Sequence, residues 1–249
     1  MTDETDIQGY LAKGGKLSAP DNAPPRYRAE LLRMMASFVD SELAGAAGFA
    51  DLINEGPGIK EKIAASRIVM EKIDHAERVL NIMGAFGVNT SRYMNVHPWA
   101  ARVGRDEELG AERRDGDMRL NVFHYPLSGW TDAVVMNVLM GRATVIQLTE
   151  LSHCSYQPLG EAFGDILPRE RRHAELGEEG VVKIISANPN EKANVIASAD
   201  YWRPRVADTF GGEQSSRFDL LRSFGLRHQN NEDLRLKWAG EVDAFFAKL

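Results

Sequence analysis

Apolar residues recur along most of this chain at steps of three and four, the spacing that builds one buried face on a helix. From Arg26 to Asn54 the stripe runs Leu31, Leu32, Met35, Phe38, Val39, Leu43, Ala46 and Ala47, which predicts a first long helix. Gly56-Pro57-Gly58 breaks it, and a second stripe follows through Ile63, Ile68, Val69, Ile73, Ala76, Val79, Leu80 and Met83. The glycines from Gly84 to Gly87 stop that stripe, so the two helices should form a hairpin. Met1 to Pro25 carries glycines and prolines with no helical stripe, which predicts a loose arm (residues 1–25) before a single helical domain (residues 26–249).

Between Asn89 and Ser128 the periodicity disappears, and Arg102 to Arg119 is densely charged. A connection of this length predicts a crossover between parallel second and third helices, with short helical pieces on the surface; ferritin-like bundles require one. The third helix, Gly129 to Ser152, is apolar nearly all round and should be the most buried. Pro158 opens a fourth segment running through His173 to Ile185, which Pro168 is expected to kink or split. Helices from Glu191 to about Phe210 and from Glu232 to Leu249 follow, separated by the polar turn Gly211 to Ser216. The expected fold is all-α: a ferritin-like four-helix bundle with additional C-terminal helices.

Composition narrows the setting. A charged fraction of 27% and a net charge of −6 give no basic face for nucleic acid. The lone Cys154 can form neither an internal disulfide nor a thiolate metal site, which points to a reducing compartment, the cytoplasm. No export signal is visible near the acidic N-terminus, and the longest apolar stretch, Ala133 to Leu148, is interrupted by Asn137, Gly141 and Arg142, so no membrane span is expected.

Residues three apart on a helix point the same way, so a Glu-x-x-His pair presents two metal ligands together. Glu170 and His173 form such a pair on the fourth helix. Glu42 lies beside the apolar face of the first helix, and His75 lies on the second. Three residues before His75 stands Lys72 in place of a carboxylate; Glu71, four before it, shares that face only approximately. Glu150 on the apolar third helix is expected to pair with Arg142 or His153, and either Glu71 or Glu150 could add an oxygen ligand. Two histidines and two carboxylates suffice for one iron, manganese or zinc ion. Cys154 reads as a small buried thiol, and His97, His124 and His228 lie in loops or boundaries without clustered partners.

Several segments in order carry a family resemblance. They are Asp40 to Gly45, Tyr125 to Trp130, Ser155-Tyr156 followed by Pro158, Glu170-x-x-His173, and Trp202-x-Pro204 with Phe210-Gly211. From Arg26 onward the chain resembles the phenylacetyl-CoA epoxidase A/C subunit family, and most of all the catalytic members of that family. That resemblance implies a carboxylate-bridged diiron centre that oxidises the aromatic ring of a CoA thioester, with a reductase partner. It also implies a homo-oligomer or a hetero-oligomer with related subunits. Carried over by position, Glu42, His75, Glu170 and His173 match metal ligands. Lys72 stands where the pattern has a glutamate, and Gly141, with Arg142 beside it, where it has an aspartate. The expected cofactor is therefore iron, one or two ions, or none if the lysine has replaced the metal; Glu71, Lys72, Arg142 and Glu150 are the residues expected to modify the site.

Overall fold

A computed structural model describes residues 4–96, 98–109, 116–213 and 215–249. His97 and the middle of the charged stretch, 110–115, lie outside the described residues. Among these residues the regular elements are helices, α1 (Glu4–Ala12), α2 (Pro25–Leu52), α3 (Ile59–Ala85), α4 (Thr90–Val96), α5 (Gly129–Leu151), α6 (Gln157–Ala187), α7 (Glu191–Ala207), α8 (Ser216–Ser223) and α9 (Asn231–Phe246), with short 3-10 turns between some of them. No helix among them is long and apolar enough to cross a membrane.

Helices α2, α3, α5 and α6 form the bundle. Cross-helix pairs fix its directions: Lys72 meets Glu42, Glu61 meets Lys183 while Glu71 meets His173, and Asn137 reaches His173 while Gly180 packs on Val134. α3 is therefore antiparallel to α2 and to α6, and α6 to α5, which leaves α3 and α5 parallel and requires the crossover. As its all-apolar pattern predicts, α5 is buried along the unbroken run Asp132–Gly141. α7 and α9 cover its far side, where Trp202 and Trp238 are buried. α6 runs unbroken through Pro168, so the expected split does not occur.

The crossover departs from the expected surface loop. Arg119, in the charged stretch, is 2% exposed and donates to the carbonyls of Pro98, Trp99 and Ala101 as well as to Asp117. Asp40 on α2 anchors the same segment, accepting from Tyr93 Oη at 2.6 Å and from the Met118 amide at 2.7 Å. Arg102 donates to the Ala44 carbonyl. These side chains serve as the crossover's hydrogen-bond partners, because irregular backbone laid against a helix lacks a regular ladder of its own.

The segment expected as a loose arm packs against the bundle. Ile7 and Leu11 of α1 are buried, and Leu17 exchanges backbone hydrogen bonds with the Ser155–Gln157 strand-like turn. Lys16 Nζ donates to the carbonyls of His153 and Cys154 just past the end of α5, a cation at a helix C-terminus. On α3 the phase of the stripe also differs from expectation: Ile68, Ala76, Val79, Leu80 and Met83 face the core, but Ile63 and Ile73 are 56% and 48% exposed.

Candidate functional site

Helices α2, α3 and α6 bring Glu42, Lys72, His75, Glu170 and His173 together in the centre of the bundle, all buried. Lys72 and His75, three apart on α3, project the same way, and so do Glu170 and His173 on α6. The Lys72 ammonium lies between the two acids, 2.9 Å from Glu42 Oε1 and 3.2 Å from Glu170 Oε1. His75 Nδ1 sits 3.1 Å from Glu42 Oε2 and 3.0 Å from Glu170 Oε1. His173 Nε2 reaches Glu71 Oε2 at 2.6 Å from the partly exposed flank of α3.

Burial and charge compete in this cluster. Burial alone would favour neutral Lys72, but Glu170 and Glu42 outweigh it and hold the ammonium above the usual lysine range. Burial likewise opposes ionisation of Glu170, which Lys72 and the adjacent His173 and His75 push well below the usual carboxylate range. His75 is raised: burial works against its protonation, and the bonds to Glu170 and Glu42 prevail. Among the described residues two buried ring nitrogens have no hydrogen-bond partner, His75 Nε2 and His173 Nδ1. The latter is 3.3 Å from Glu170 Oε1, within ion-pair range but without the direction a hydrogen bond needs.

A metal site can be tested against this geometry. Glu42, His75 and Glu170 offer ligand atoms that all lie within 4.8 Å of one another, a set of mixed oxygen and nitrogen donors suited to one divalent ion. They do not fit two. A pair of divalent ions needs several carboxylates to balance its charge, and here the ammonium stands between Glu42 and Glu170 and occupies their facing oxygens. The third bundle helix adds no acid at this point either: Gly141 stands there, and a Cβ on it would lie 3.0 Å from the Ala174 Cα, so α6 would have to give way for any side chain.

Two expected modifiers lie elsewhere. Arg142 pairs with Glu178 and Glu241 on the outer side of α5. Glu150 pairs with neither Arg142 nor His153; it accepts from the amides of His228 and Gln229 and faces Arg227 at 3.5 Å. Those partners are remote in sequence, so spacing along α5 could not reveal them. Glu71 does join the site, though through His173 and not beside His75. Sequence reasoning missed Asn137, whose amide donates to the His173 carbonyl at 2.8 Å and fixes α6 against α5. Its signal was an amide inside an otherwise apolar helix, where a buried polar group needs a partner. Beside the cluster a small cavity of about 30 Å³ is lined by Ala44, Gly45, Phe49, Phe123 and Met140, with Lys72 and Glu170 at its wall.

Comparison with known proteins agrees with this architecture. The chain is 22% identical over 242 residues to the A component of 1,2-phenylacetyl-CoA epoxidase from Escherichia coli (strain K12), an alignment covering 96% of this chain and 73% of that protein. A family model described as phenylacetic acid catabolic protein matches residues 3–249. With nearly the whole chain matched and the bundle in place, the chain belongs to the phenylacetic acid catabolic protein family.

Proposed function

We propose that this chain serves in an epoxidase-like assembly as a subunit in which an internal ion pair has replaced the metal centre. On this reading it works with related subunits that carry the chemistry. The observation that supports it is Lys72 Nζ at 2.9 Å from Glu42 and 3.2 Å from Glu170. One ammonium neutralises part of the charge that a cation would neutralise and fills its place between the helices. Its raised proton affinity keeps it charged at any physiological pH.

A second reading has its own observation. The three ligand atoms of Glu42, His75 and Glu170, with the unpartnered His75 Nε2, favour a single divalent ion such as iron once the lysine side chain swings away. That chain would be a remodelled oxygenase. Iron would supply the oxidising chemistry on an organic substrate, of which a CoA thioester is one candidate, with electrons from a reductase partner.

Metal analysis after anaerobic loading with ferrous iron separates the two. The wild-type chain should retain only background metal, while Lys72→Glu, which restores a carboxylate and removes the cation, should bind iron. One tightly held ion per wild-type chain establishes the second reading; two would overturn both.

A further inference from the structure

Between α2 and α5 lies a second, larger cavity of about 250 Å³, walled on its other sides by the end of the crossover and by α8. Along α2 it runs from Arg33 to Glu42, nine residues and about 13 Å. Because α5 runs opposite to α2, Leu151 stands at the Arg33 end and Met140 at the Glu42 end. The two ends differ in chemistry. At the first, Arg33 is joined by Arg217 of α8, which donates to Glu30 at 2.9 Å, and by Arg227, 3.5 Å from Glu150. At the second, Phe123 and Met140 form the wall and also line the small cavity beside Lys72. Phe38 and Leu148 lie between the ends, and the polar residues beside them, Thr144 and the hydrogen-bonded Gln147 and Thr209, are neutral.

Three guanidinium groups at the first end are met by two carboxylates, Glu30 and Glu150, which leaves one positive charge in excess among the described residues. Arg33 is exposed and has no ion pair or hydrogen bond there. Arg227 is more enclosed: its Nη2 donates to Asn231 Oδ1 at 3.2 Å, but its buried Nε has no hydrogen-bond partner among the described residues. Burial pulls its proton affinity below the usual arginine range despite Glu150, and a second anion would offset that. The other end repels anions, because Glu42 stands there and already holds Lys72 and His75. Charge therefore fixes which way round an amphiphilic ligand would lie.

We infer that this cavity is a binding site for a small amphiphilic monoanion, a free carboxylate on an apolar body, with the carboxylate at Arg33 and Arg227 and the body lying along Phe38 and Leu148 toward Met140. Apolar walls with a few convergent polar groups at one end are the usual build of a small-molecule site. Size sets the length of the ligand. A cavity of about 150 Å³ holds a benzene ring, so 250 Å³ takes a molecule of roughly ten non-hydrogen atoms. A CoA thioester reaching the Lys72 cluster would have to lay its acyl group and its long neutral arm inside before its first phosphate met the arginines, roughly twice as many atoms as this space takes. The neighbouring cavity of about 30 Å³ adds too little to hold them.

Binding there does not depend on what stands between Glu42 and Glu170, so its test needs no metal, and its failure would leave the reading of the Lys72 cluster untouched. Isothermal titration calorimetry of the full chain with octanoate, a carboxylate of the required size, should show one site per chain. Octanamide, with the same shape and no charge, should bind about 10-fold more weakly or worse. Arg33→Gln should weaken octanoate about 10-fold and leave octanamide unchanged, with helical circular dichroism and melting temperature retained because Arg33 is exposed and unpaired among the described residues. Thr144→Phe, which sets a ring between the two ends, should weaken both ligands about 10-fold or more. Absence of octanoate binding at millimolar concentration overturns the proposal, as does octanamide or octanoyl-CoA bound as tightly as octanoate. Unchanged octanoate binding in either folded variant overturns it too.

Discussion

Asp132 and Glu170 are both buried carboxylates held below their ordinary range, yet their surroundings are built on different plans. Asp132 sits where α5 begins and accepts from Arg105, Ser198 Oγ, Trp202 Nε1 and the Ser128 amide, at 2.7 to 2.9 Å for the closest contact of each. Donors from the crossover, α5 and α7 converge on it. That is a structural knot, tying the crossover and α7 to the bundle. The Glu170 cluster has its acids balanced by one lysine and one raised histidine, and among the described residues His75 Nε2 and His173 Nδ1 have no hydrogen-bond partner. The Asp132 carboxylate is thus met by directed donors from several elements, whereas the Glu170 cluster is held chiefly by charge.

Removing the central cation should separate the two clusters most sharply. Lys72→Met leaves Glu42 and Glu170 with His75 alone as a shared counter-charge, and breaking a buried ion pair from one side costs about 3–5 kcal/mol. Urea denaturation should register that loss. Addition of a divalent ion should recover part of it if the remaining ligands can hold one. A variant as stable as wild type would mean that water already screens the cluster, and the replacement reading would lose its basis.

Asp132→Asn should have the next largest effect. The amide presents a donor to a ring of donors, forfeiting charge-assisted bonds for about 2–3 kcal/mol at neutral pH. The pH dependence carries a definite sign. Burial raises the Asp132 proton affinity, but Arg105, Ser198, Ser128 and Trp202 lower it further, so the folded pKa lies below the unfolded value of about 3.9. Its contribution is then fully present above that unfolded value and is lost as pH falls through the folded one. Asp117 and Glu170 are depressed too and act in the same direction, so the informative quantity is the gap between wild type and variant. Denaturation curves at pH 7, 5 and 3 should show a gap constant between the first two and narrower at the third. A gap that persists undiminished into acid would mean the ionised carboxylate is not what the four donors hold.

Periodicity and spacing revealed some of this and not the rest. The long helices α2, α3, α5 and α6 were readable because each combines a strong apolar pattern with glycine or proline breaks. Lys72 with His75, and Glu170 with His173, were readable because three-residue spacing fixes a shared helix face, and Glu42 because it lies beside the apolar stripe of α2. Partnerships set by tertiary contact were not. Arg119 looks solvated in a charged stretch, and only the docked crossover shows it buried among carbonyls. Glu150 meets partners nearly eighty residues away. Ile63 and Ile73 belong to a genuine helical stripe, but a helix with apolar residues on two sides does not disclose which side faces in. Pattern gives the period; the phase comes from packing.

The smallest effect concerns the place where α5 contributes no acid. Alanine is favoured over glycine inside a helix by about 1 kcal/mol, so Gly141→Ala should stabilise the chain if the position were open. The added Cβ would instead sit 3.0 Å from the Ala174 Cα and 3.1 Å from its Cβ, with backbone on the receiving side and little freedom to yield. Overpacking of this kind costs about 1–3 kcal/mol, enough to cancel the gain and leave a net loss of about 1 kcal/mol or slightly more. The double variant Gly141→Ala/Ala174→Gly should recover only part of the packing loss, because it removes the 3.1 Å contact with the Ala174 Cβ and keeps the 3.0 Å contact with its Cα. Thermal melts of the two variants decide the matter. A stabilised single variant would show that α5 and α6 can separate there, and an aspartate at 141 would then be sterically admissible beside Lys72. A destabilised single variant partly rescued by the double one ties the absence of an acid at 141 to the helix spacing itself, so that building a two-metal centre here would require re-spacing α5 and α6 as well as exchanging Lys72.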